Sequence, residues 1–423
     1  MAQRQAPPAV PSAADEDGLL QTARRIHKQV LVLDSHIDFE PEDLTGGRNY
    51  TQRGETQFNL PNMIDGGLDG LFFVIYVGQT KEAQNPDAFK AAGYERAYQA
   101  AVEKFDAVHR FTSEIAREQI ELAVSADDIR RIRATGKKAA LMGVENGYPL
   151  GQDLARVKEF YDRGARYISL THNGHNQLGD SHTGEREGWK WQGVSPLGEH
   201  VIAEMNRLGI IVDVSHASKE AMLKTAALSK APIIASHSAV RSLCNVSRNL
   251  DDEQLLALKN TGGVIQIVAY GGFLKTTQAD SAERKAALAE AREVYNLPDP
   301  ASISQRARAH AALKQLPDEQ RAAYEEKLAG IDEQLPGDPA ATVKDLVDHI
   351  DYAVKLIGID HVGIASDFDG GGGIVGWNDA SETFNVTLEL VRRVYSEKQI
   401  EKLWGGNLLR VMVDVQRVAR DHQ

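Results

Sequence analysis

Short, β-branched apolar runs recur along the chain, each separated from the next by stretches with helical spacing. They are VLVL at 30–33, LFFVIYV at 71–77, AALMGV at 139–144 and YISL at 167–170, then GIIVDV at 209–214, PIIAS at 232–236, GVIQIVA at 263–269 and HVGIAS at 361–366. Most are apolar at positions of both parities, as parallel strands covered on two faces should be. Several follow amphipathic segments. In PLGEHVIAEMNRLG, Val201, Ile202, Met205 and Leu208 recur at helical spacing and the pattern stops at Gly209. Eight such units predict an α/β fold, a closed (β/α)8 barrel of the TIM type, in preference to an open doubly wound sheet.

Two spacings are too long for a simple βα unit. Residues 79–138, after the second strand, and 274–345, after the seventh, are rich in Ala, Glu, Lys, Arg and Gln. The second holds AERKAALAEAREVY and DEQRAAYEEKLAGIDEQL, whose charges at i and i+4 support solvated helices. Both are expected to be helical insertions packed on the barrel, most of their residues having no part in chemistry. Residues 1–18, MAQRQAPPAVPSAADEDG, cannot support a core and are expected to be flexible, leaving 19–423 as a single domain.

Composition narrows the class. With 423 residues, 42% of them hydrophobic, the chain can bury a large core. Its net charge of −12 is spread out, with no basic cluster to follow a phosphate backbone, so nucleic acid is not expected as a partner. The longest apolar runs fall well short of the roughly 20 residues that span a bilayer. Cys244 is the only cysteine, which leaves no intrachain disulfide and no thiolate-rich metal site. Any metal must be held by nitrogen and oxygen. The first residues lack the apolar core of a leader, which taken literally means a cytoplasmic protein. The Met-Ala-Gln start before a Pro/Ala/Ser linker equally suits a periplasmic or secreted chain whose leader was replaced by a methionine.

In a barrel of this kind catalytic groups come from the C-terminal ends of the strands. His36 and Asp38 follow the first strand, Glu145 the third (GVENG), His172 the fourth (SLTHNGHN), His216 the fifth (DVSHAS), His237 the sixth (ASHSA) and Asp367 the eighth (IASDFDG). A lone histidine at a strand end is more often a hydrogen-bonded core or loop residue than a ligand. Six of eight strands ending in a ligand or acid on the same rim is a different observation. Imidazole and carboxylate suit Zn(II) and related divalent ions, and two ions sharing a carboxylate can hold a hydroxide between them at neutral pH. Two His and an Asp flanking one metal, two His on another and Glu145 between them would form a coherent site. Asp367 would be the free acid that takes the hydroxide proton and returns it to a leaving amine.

Arg248, in NVSRNLDD one loop beyond the sixth strand, could bind a substrate carboxylate in bidentate fashion. Taken alone it reads as a surface ion-pair partner. His27, His109, His200, His310, His349 and His422 lie in helical or terminal contexts and are expected to be solvated. His175 and His182 sit in the loop after the fourth strand, where a plain loop role is the default, and His361 begins the eighth strand, at the wrong end. Asp369 is expected behind the site, and the glycines of SDFDGGGG to serve a turn or mobile loop. No GxGxxG or GxxxxGKS/T arrangement follows a strand where a phosphate cradle would need it.

With these residues assembled, the chain resembles the membrane dipeptidase (renal dipeptidase) family, the M19 metallopeptidases of the amidohydrolase superfamily. The likeness runs from about residue 30 to 415 through DSHID, GVENG, YISLTHNGHN, SPLGEHVIAEMNRLGIIVDVSHAS, PIIASHSAVRSLCNVSRNLDDE, HVGIASDFDG and GGNLLRV. It implies a (β/α)8 barrel with two zinc ions that hydrolyses dipeptides, often tolerating a D-residue at the C-terminal position. Carried over residue by residue, it implies that His36, Asp38 and Glu145 hold one zinc, with Glu145 bridging to a second held by His216 and His237. It further implies that His172 contacts the scissile carbonyl and helps stabilise the oxyanion, that Arg248 binds the substrate carboxylate, and that Asp367 is the proton shuttle. Family members are often homodimers, although no segment of this chain identifies an interface. The first motif departs from the family in reading His-Ile-Asp-Phe, where a polar residue and Leu are commoner. The lipid-anchor tail and inter-subunit cysteine of mammalian members have no counterpart, so a membrane location is not carried over.

The leading expectation is therefore a metallo-dipeptidase with two Zn(II) per chain, other divalent metals being compatible with the same donors. The alternative within enzymes is a hydrolase of another amide or ester, such as an N-acyl amino acid or a lactone. Arg248 separates the two, because it predicts dependence on a free substrate carboxylate. A non-catalytic binding barrel is the reading from a different class, opposed by the complete set of candidate ligands and by Asp367.

Overall fold

The computed structural model describes residues 13–47, 49–300 and 303–421. Its strands are β1 (Leu33–Ile37), β2 (Gly70–Tyr76), β3 (Ile120–Leu122), β4 (Lys138–Glu145), β5 (Ala165–Ser169), β6 (Ile211–Asp213), β7 (Ile234–Ser238), β8 (Val264–Val268) and β9 (Val362–Ala365). Eight of them pair in parallel in the order β1-β2-β4-β5-β6-β7-β8-β9, and β3 adds to β4 outside this path. The ring is drawn together where β1 meets the segment after β9: Asp38 N–H donates to Phe368 O at 2.9 Å and Asp367 N–H to His36 O at 3.1 Å. This is the nearly closed (β/α)8 barrel that the alternation of apolar runs and helical segments predicts.

Local rules explain the elements. Helix Pro196–Leu208 starts where Ser195 accepts a hydrogen bond from Gly198 N–H with Pro196 in the first turn. It stops at Gly209, whose φ of 85° is left-handed, the C-terminal device expected at that glycine. The strands are buried on both faces. Period-two alternation puts Leu141, Gly143 and Glu145 of β4 on one side, and Leu141 packs in a cluster with Leu33, Phe72, Tyr167, Ile211, Ile234 and Val264. Helix Asn407–Asp421 adds Leu408, Val411, Met412 and Val415 to that cluster.

The first strand departs from expectation. It runs over Leu33–Ile37 rather than 30–33, so Asp34, Ser35 and His36 lie inside the strand and not beyond it. Most of the buried polar atoms there are paired, Asp34 Oδ2 and His36 Nε2 excepted. Asp34 Oδ1 accepts from His36 N–H and from Ser366 N–H on the neighbouring segment, both at 3.1 Å, and Ser35 Oγ donates to Ser236 O at 2.8 Å. Asp213 repeats the device, its Oδ1 accepting from Ser215 N–H at 3.0 Å and from Ser236 N–H at 2.9 Å. Burial pushes both carboxyls up, Asp34 to about 6.

Both long spacings are insertions, and the first is not wholly helical, since β3 lies within it beside helices Ala91–Arg110 and Ala126–Ala134. In the second, helix Ala282–Val294 packs on Asp318–Gln334. Helix Ile303–Gln315 is pinned to the segment after β9, with Lys314 Nζ 2.7 Å and His310 Nε2 3.3 Å from Asp379 Oδ2. Helix Ala13–Gln29 begins inside the segment 1–18, of which residues 1–12 lie outside the described residues.

Two histidines expected to be solvated are buried. His27 bonds Thr387 Oγ1 at 2.7 Å and Gly66 O at 2.8 Å, and His349 bonds Val240 N at 3.0 Å and Leu274 O at 3.0 Å. A helical position alone does not say which face is covered, and burial lowers both pKa values. His422 lies outside the described residues. No helix among the described residues is long and apolar enough to cross a membrane.

Candidate metal centre

The structure brings His36, Asp38, Glu145, His172, His216, His237 and Asp367 together at the C-terminal ends of the strands. His36 and His237 stand within β1 and β7, Glu145 is the last residue of β4, and the others lie in the first turns beyond β1, β5, β6 and β9. Two of these turns are held in the left-handed backbone region, His216 at φ 65° and Asp367 at φ 59°. A residue with a Cβ costs about 1–2 kcal/mol there, and such conformations persist where surrounding contacts over-determine them, as at functional sites.

Glu145 is the hub. Its Oε1 lies 3.1 Å from His216 Nε2 and 3.2 Å from His237 Nε2, while its Oε2 lies 3.7 Å from His36 Nε2. His36 Nε2 also faces Asp38 Oδ2 at 3.5 Å and Asp367 Oδ1 at 3.9 Å. The side chains thus fall into two sets of the size and spacing that hold a cation, His36–Asp38–Glu145 and Glu145–His216–His237, and both use Glu145. A third overlapping set is His36–His237–Asp367. Space for the carboxylates depends on Gly370, where a Cβ would stand 2.1 Å from Asp38 Oδ2 and 2.6 Å from Asp367 Oδ1. That close approach, rather than a mobile loop, accounts for the first glycine of the GGGG run.

The imidazoles are held from outside. His36 Nδ1 meets Tyr167 Oη at 3.1 Å, His216 Nδ1 meets Asn173 Oδ1 at 3.2 Å, and His237 Nδ1 meets Ser236 Oγ at 2.9 Å. Ser236 Oγ in turn donates to Asp213 Oδ2 at 2.6 Å. Each Nε2 is left pointing inwards, and that of His36 is fully buried with no hydrogen-bond partner. An orphaned buried nitrogen within 4 Å of three carboxylates, with the His237 imidazole beside it, fits a divalent cation with a preference for nitrogen and oxygen donors.

Electrostatics among the protein groups agree with this division. Burial holds His216 and His237 well below the usual imidazole range, with Arg248 adding to the effect, so both are neutral donors. Burial also opposes charge on His36, but Glu145 and Asp38 outweigh it and raise its pKa. Glu145 is held low by His172 and His36 against its own desolvation. Asp367 goes the other way: burial, with Asp38 and Glu145 adding, raises it well above the ordinary carboxylate value against His36 and Arg248.

His172 sits on the wall of the centre, Nε2 3.9 Å from Glu145 Oε1 and Nδ1 3.3 Å from Tyr76 Oη. Arg248 is not a surface residue. It is 3% exposed, its Nη1 donates to Ser238 Oγ and its Nη2 to His237 O, both at 2.6 Å, and its Nε has no partner. Asp369 accepts from Gln57 N–H at 2.8 Å and Phe58 N–H at 3.1 Å, tying down the loop after β1 beside the site.

The centre opens into a cavity of about 1220 Å³, walled further out by Tyr270, Phe273, Arg186 and Arg308. Arg308 comes from the second insertion and reaches Glu55 Oε2 at 3.3 Å, so that insertion forms part of the wall. His182, read as a plain loop residue, also lines it and shares Asn173 Oδ1 with His216, at 2.9 Å. Burial, with Arg248 and His172 adding, pushes His182 down to about 3. Tyr76, Tyr167, Asn173 and Ser236 escaped sequence reasoning. Asn173 could have been suspected from its place beside His172, whereas Tyr167 looks like any apolar strand residue.

A family model described as Membrane dipeptidase (Peptidase family M19) matches residues 20–423. Dipeptidase aclJ of Aspergillus oryzae is 28% identical over 425 aligned residues, covering 98% of this chain and 85% of its own. The crystal structure of the probable dipeptidase PvdM from Pseudomonas aeruginosa is 35% identical with a TM-score of 0.74, covering 95% of this chain and all of the other. A metallo peptidase from Rhodobacter sphaeroides, liganded with a phosphinate mimic of the dipeptide L-Ala-D-Ala, shares the fold at 22% identity and a TM-score of 0.68, over 91% of this chain and 99% of its own.

Proposed function

The chain belongs to the membrane dipeptidase family, peptidase family M19, and on that premise we propose that it is a dinuclear zinc dipeptidase whose substrates include dipeptides with a C-terminal D-residue. The observation that carries this reading is the division of Glu145, one oxygen towards His36 and the other towards His216 and His237. His36, Asp38 and Glu145 would hold one ion, and Glu145, His216 and His237 the other. Bound there, zinc supplies Lewis-acid polarisation of a carbonyl and a water made nucleophilic at neutral pH.

The chain's own groups supply the remainder. Asp367, whose Oδ1 lies 3.9 Å from His36 Nε2 at the edge of the centre, is suited to take a proton from the attacking water and deliver it to the departing amine. With Tyr76 Oη, 3.3 Å away, donating to His172 Nδ1, the Nε2–H of His172 would be left to bond the oxyanion that develops on the scissile carbonyl. Arg248 retains unused N–H groups for a substrate carboxylate although two are committed to Ser238 and His237. Acceptance of a D-residue draws its support from the peptidase of the same fold that binds an L-Ala-D-Ala mimic.

A second reading, hydrolysis of a bulkier amide or ester, is favoured by the cavity, whose roughly 1220 Å³ exceeds the ~300–1,000 Å³ of ordinary small-molecule pockets. Hydrolysis of an L,L and L,D dipeptide panel by metal-quantified protein, with C-terminally amidated versions beside it, separates the two. Cleavage of free dipeptides with about two metals per chain is the expected result. Two metals without dipeptide cleavage would transfer the function to another amide or ester, and neither metal nor activity would leave a binding barrel.

A further inference from the structure

Tyr167 is a fully buried phenol in the middle of the barrel, on a strand that contributes none of the candidate ligands. Its ring lies directly over Gly143 of β4, where a Cβ would stand 2.0 Å from Cζ and 2.3 and 2.4 Å from the two ring carbons beside it. Only a bare backbone at 143 lets the ring cross to β1. There its hydroxyl meets two groups of adjacent residues, Ser35 O at 3.1 Å and His36 Nδ1 at 3.1 Å. A carbonyl oxygen can only accept, so the single phenolic hydrogen goes to Ser35 O and the phenol oxygen offers a lone pair to His36. In the neutral imidazole His36 Nδ1 then carries the hydrogen, and Nε2 is left to present its lone pair to the buried space shared with Asp38 and Glu145.

We propose that Tyr167 is the positioning residue that selects the metal-binding tautomer of His36, and that Gly143 is glycine to admit it. Without the hydroxyl, Nδ1 loses its acceptor, and the carboxylates of Asp38 and Glu145 draw the hydrogen to Nε2, where it blocks the lone pair. The other two imidazoles have separate holders, Asn173 and Ser236, so the effect is confined to one side of the centre. This inference rests on the dinuclear reading, and its test is built in two arms that fail separately.

Tyr167→Phe keeps the ring on Gly143 and removes only the hydroxyl. In the metal-loaded protein, chelator competition is expected to show one ion held about 10- to 100-fold more weakly, the range seen when an outer partner of a ligand is lost, with the other ion unchanged. A merely structural tyrosine would weaken both ions together and lower the melting temperature of the metal-free chain; either that or two unchanged affinities would overturn the proposal. The second arm uses 15N-histidine spectra of the metal-free chain at a pH alkaline enough for neutral imidazoles. The expected result is hydrogen on Nδ1 of His36 in the wild type and on Nε2 in Tyr167→Phe. Hydrogen on Nε2 in the wild type would overturn the proposal whether or not the protein binds metal.

Discussion

His216 and His237 present their Nε2 atoms to each other at 3.0 Å, and the same oxygen of Glu145 faces both. Each ring donates its Nδ1–H outward, to Asn173 and to Ser236, and burial keeps both imidazoles neutral. Two lone pairs and a carboxylate therefore converge on one point, an arrangement that repels itself unless a cation occupies that point. Removing metal with excess chelator is expected to lower the melting temperature by roughly 5 °C, from about 4 kcal/mol of linkage at 1,000 times Kd. Calorimetry with and without chelator checks it. An unchanged transition would count against any ion at these nitrogens.

Asp367 is the acid placed against the centre without being needed to complete either Glu145 set. Asp367→Asn is expected to keep metal content near wild type while lowering kcat on the order of 100-fold or more, as when a proton shuttle is lost. Metal analysis beside steady-state kinetics reads both quantities. A fully active variant would remove Asp367 from the mechanism.

Arg248 carries two duties that its substitutions can separate. Arg248→Ala should harm free dipeptides far more than dipeptide amides, which lack the carboxylate it is proposed to bind. Its hydrogen bonds to Ser238 and His237 O also brace β7, so some loss on both substrates is expected. Equal losses on amide and acid would make it a structural arginine alone.

His310 gives the second insertion a pH-dependent hold. Burial lowers its pKa, but the carboxylates of Asp379 and Glu382, 3.3 and 3.6 Å from its Nε2, outweigh burial and raise it above 6.5. The same contacts, with Lys314 and Ser381, overcome desolvation to depress Asp379 below 3.8. The histidine's contribution is therefore complete below its unfolded pKa and is lost as pH rises through the raised value. The aspartate's is present above its unfolded pKa and is lost as pH falls through the depressed one. Helix Ile303–Gln315 should resist proteolysis better at about pH 6 than at about pH 9, and His310→Ala should flatten the difference. Equal cleavage of the wild type at both values would contradict this account.

The barrel was legible because its signal is local and repeated: buried parallel strands need apolar residues on both faces, and most of the eight runs carry that mark. The seven candidate residues were legible for a related reason, since a polar residue at the end of a buried strand stands out against its neighbours. His27 and His349 were misread, because a helix with polar residues on several sides does not declare which side the rest of the protein covers. β3 was missed because its three residues make no pattern of their own and become a strand only by pairing with β4.

Sequence by itself determined the number of strand–helix units, the donor atoms available to a metal and the rim on which they stand, because covalent spacing and hydrophobic period are properties of the chain alone. Tertiary structure decided which nitrogen of each imidazole faces inwards, that Arg248 is buried, and that Tyr167 reaches across β4 to His36. These depend on hydrogen-bond partners 131 positions apart for Tyr167 and His36, and 43 for Asn173 and His216. No residue carries that information until the barrel closes and brings those partners within 3.2 Å.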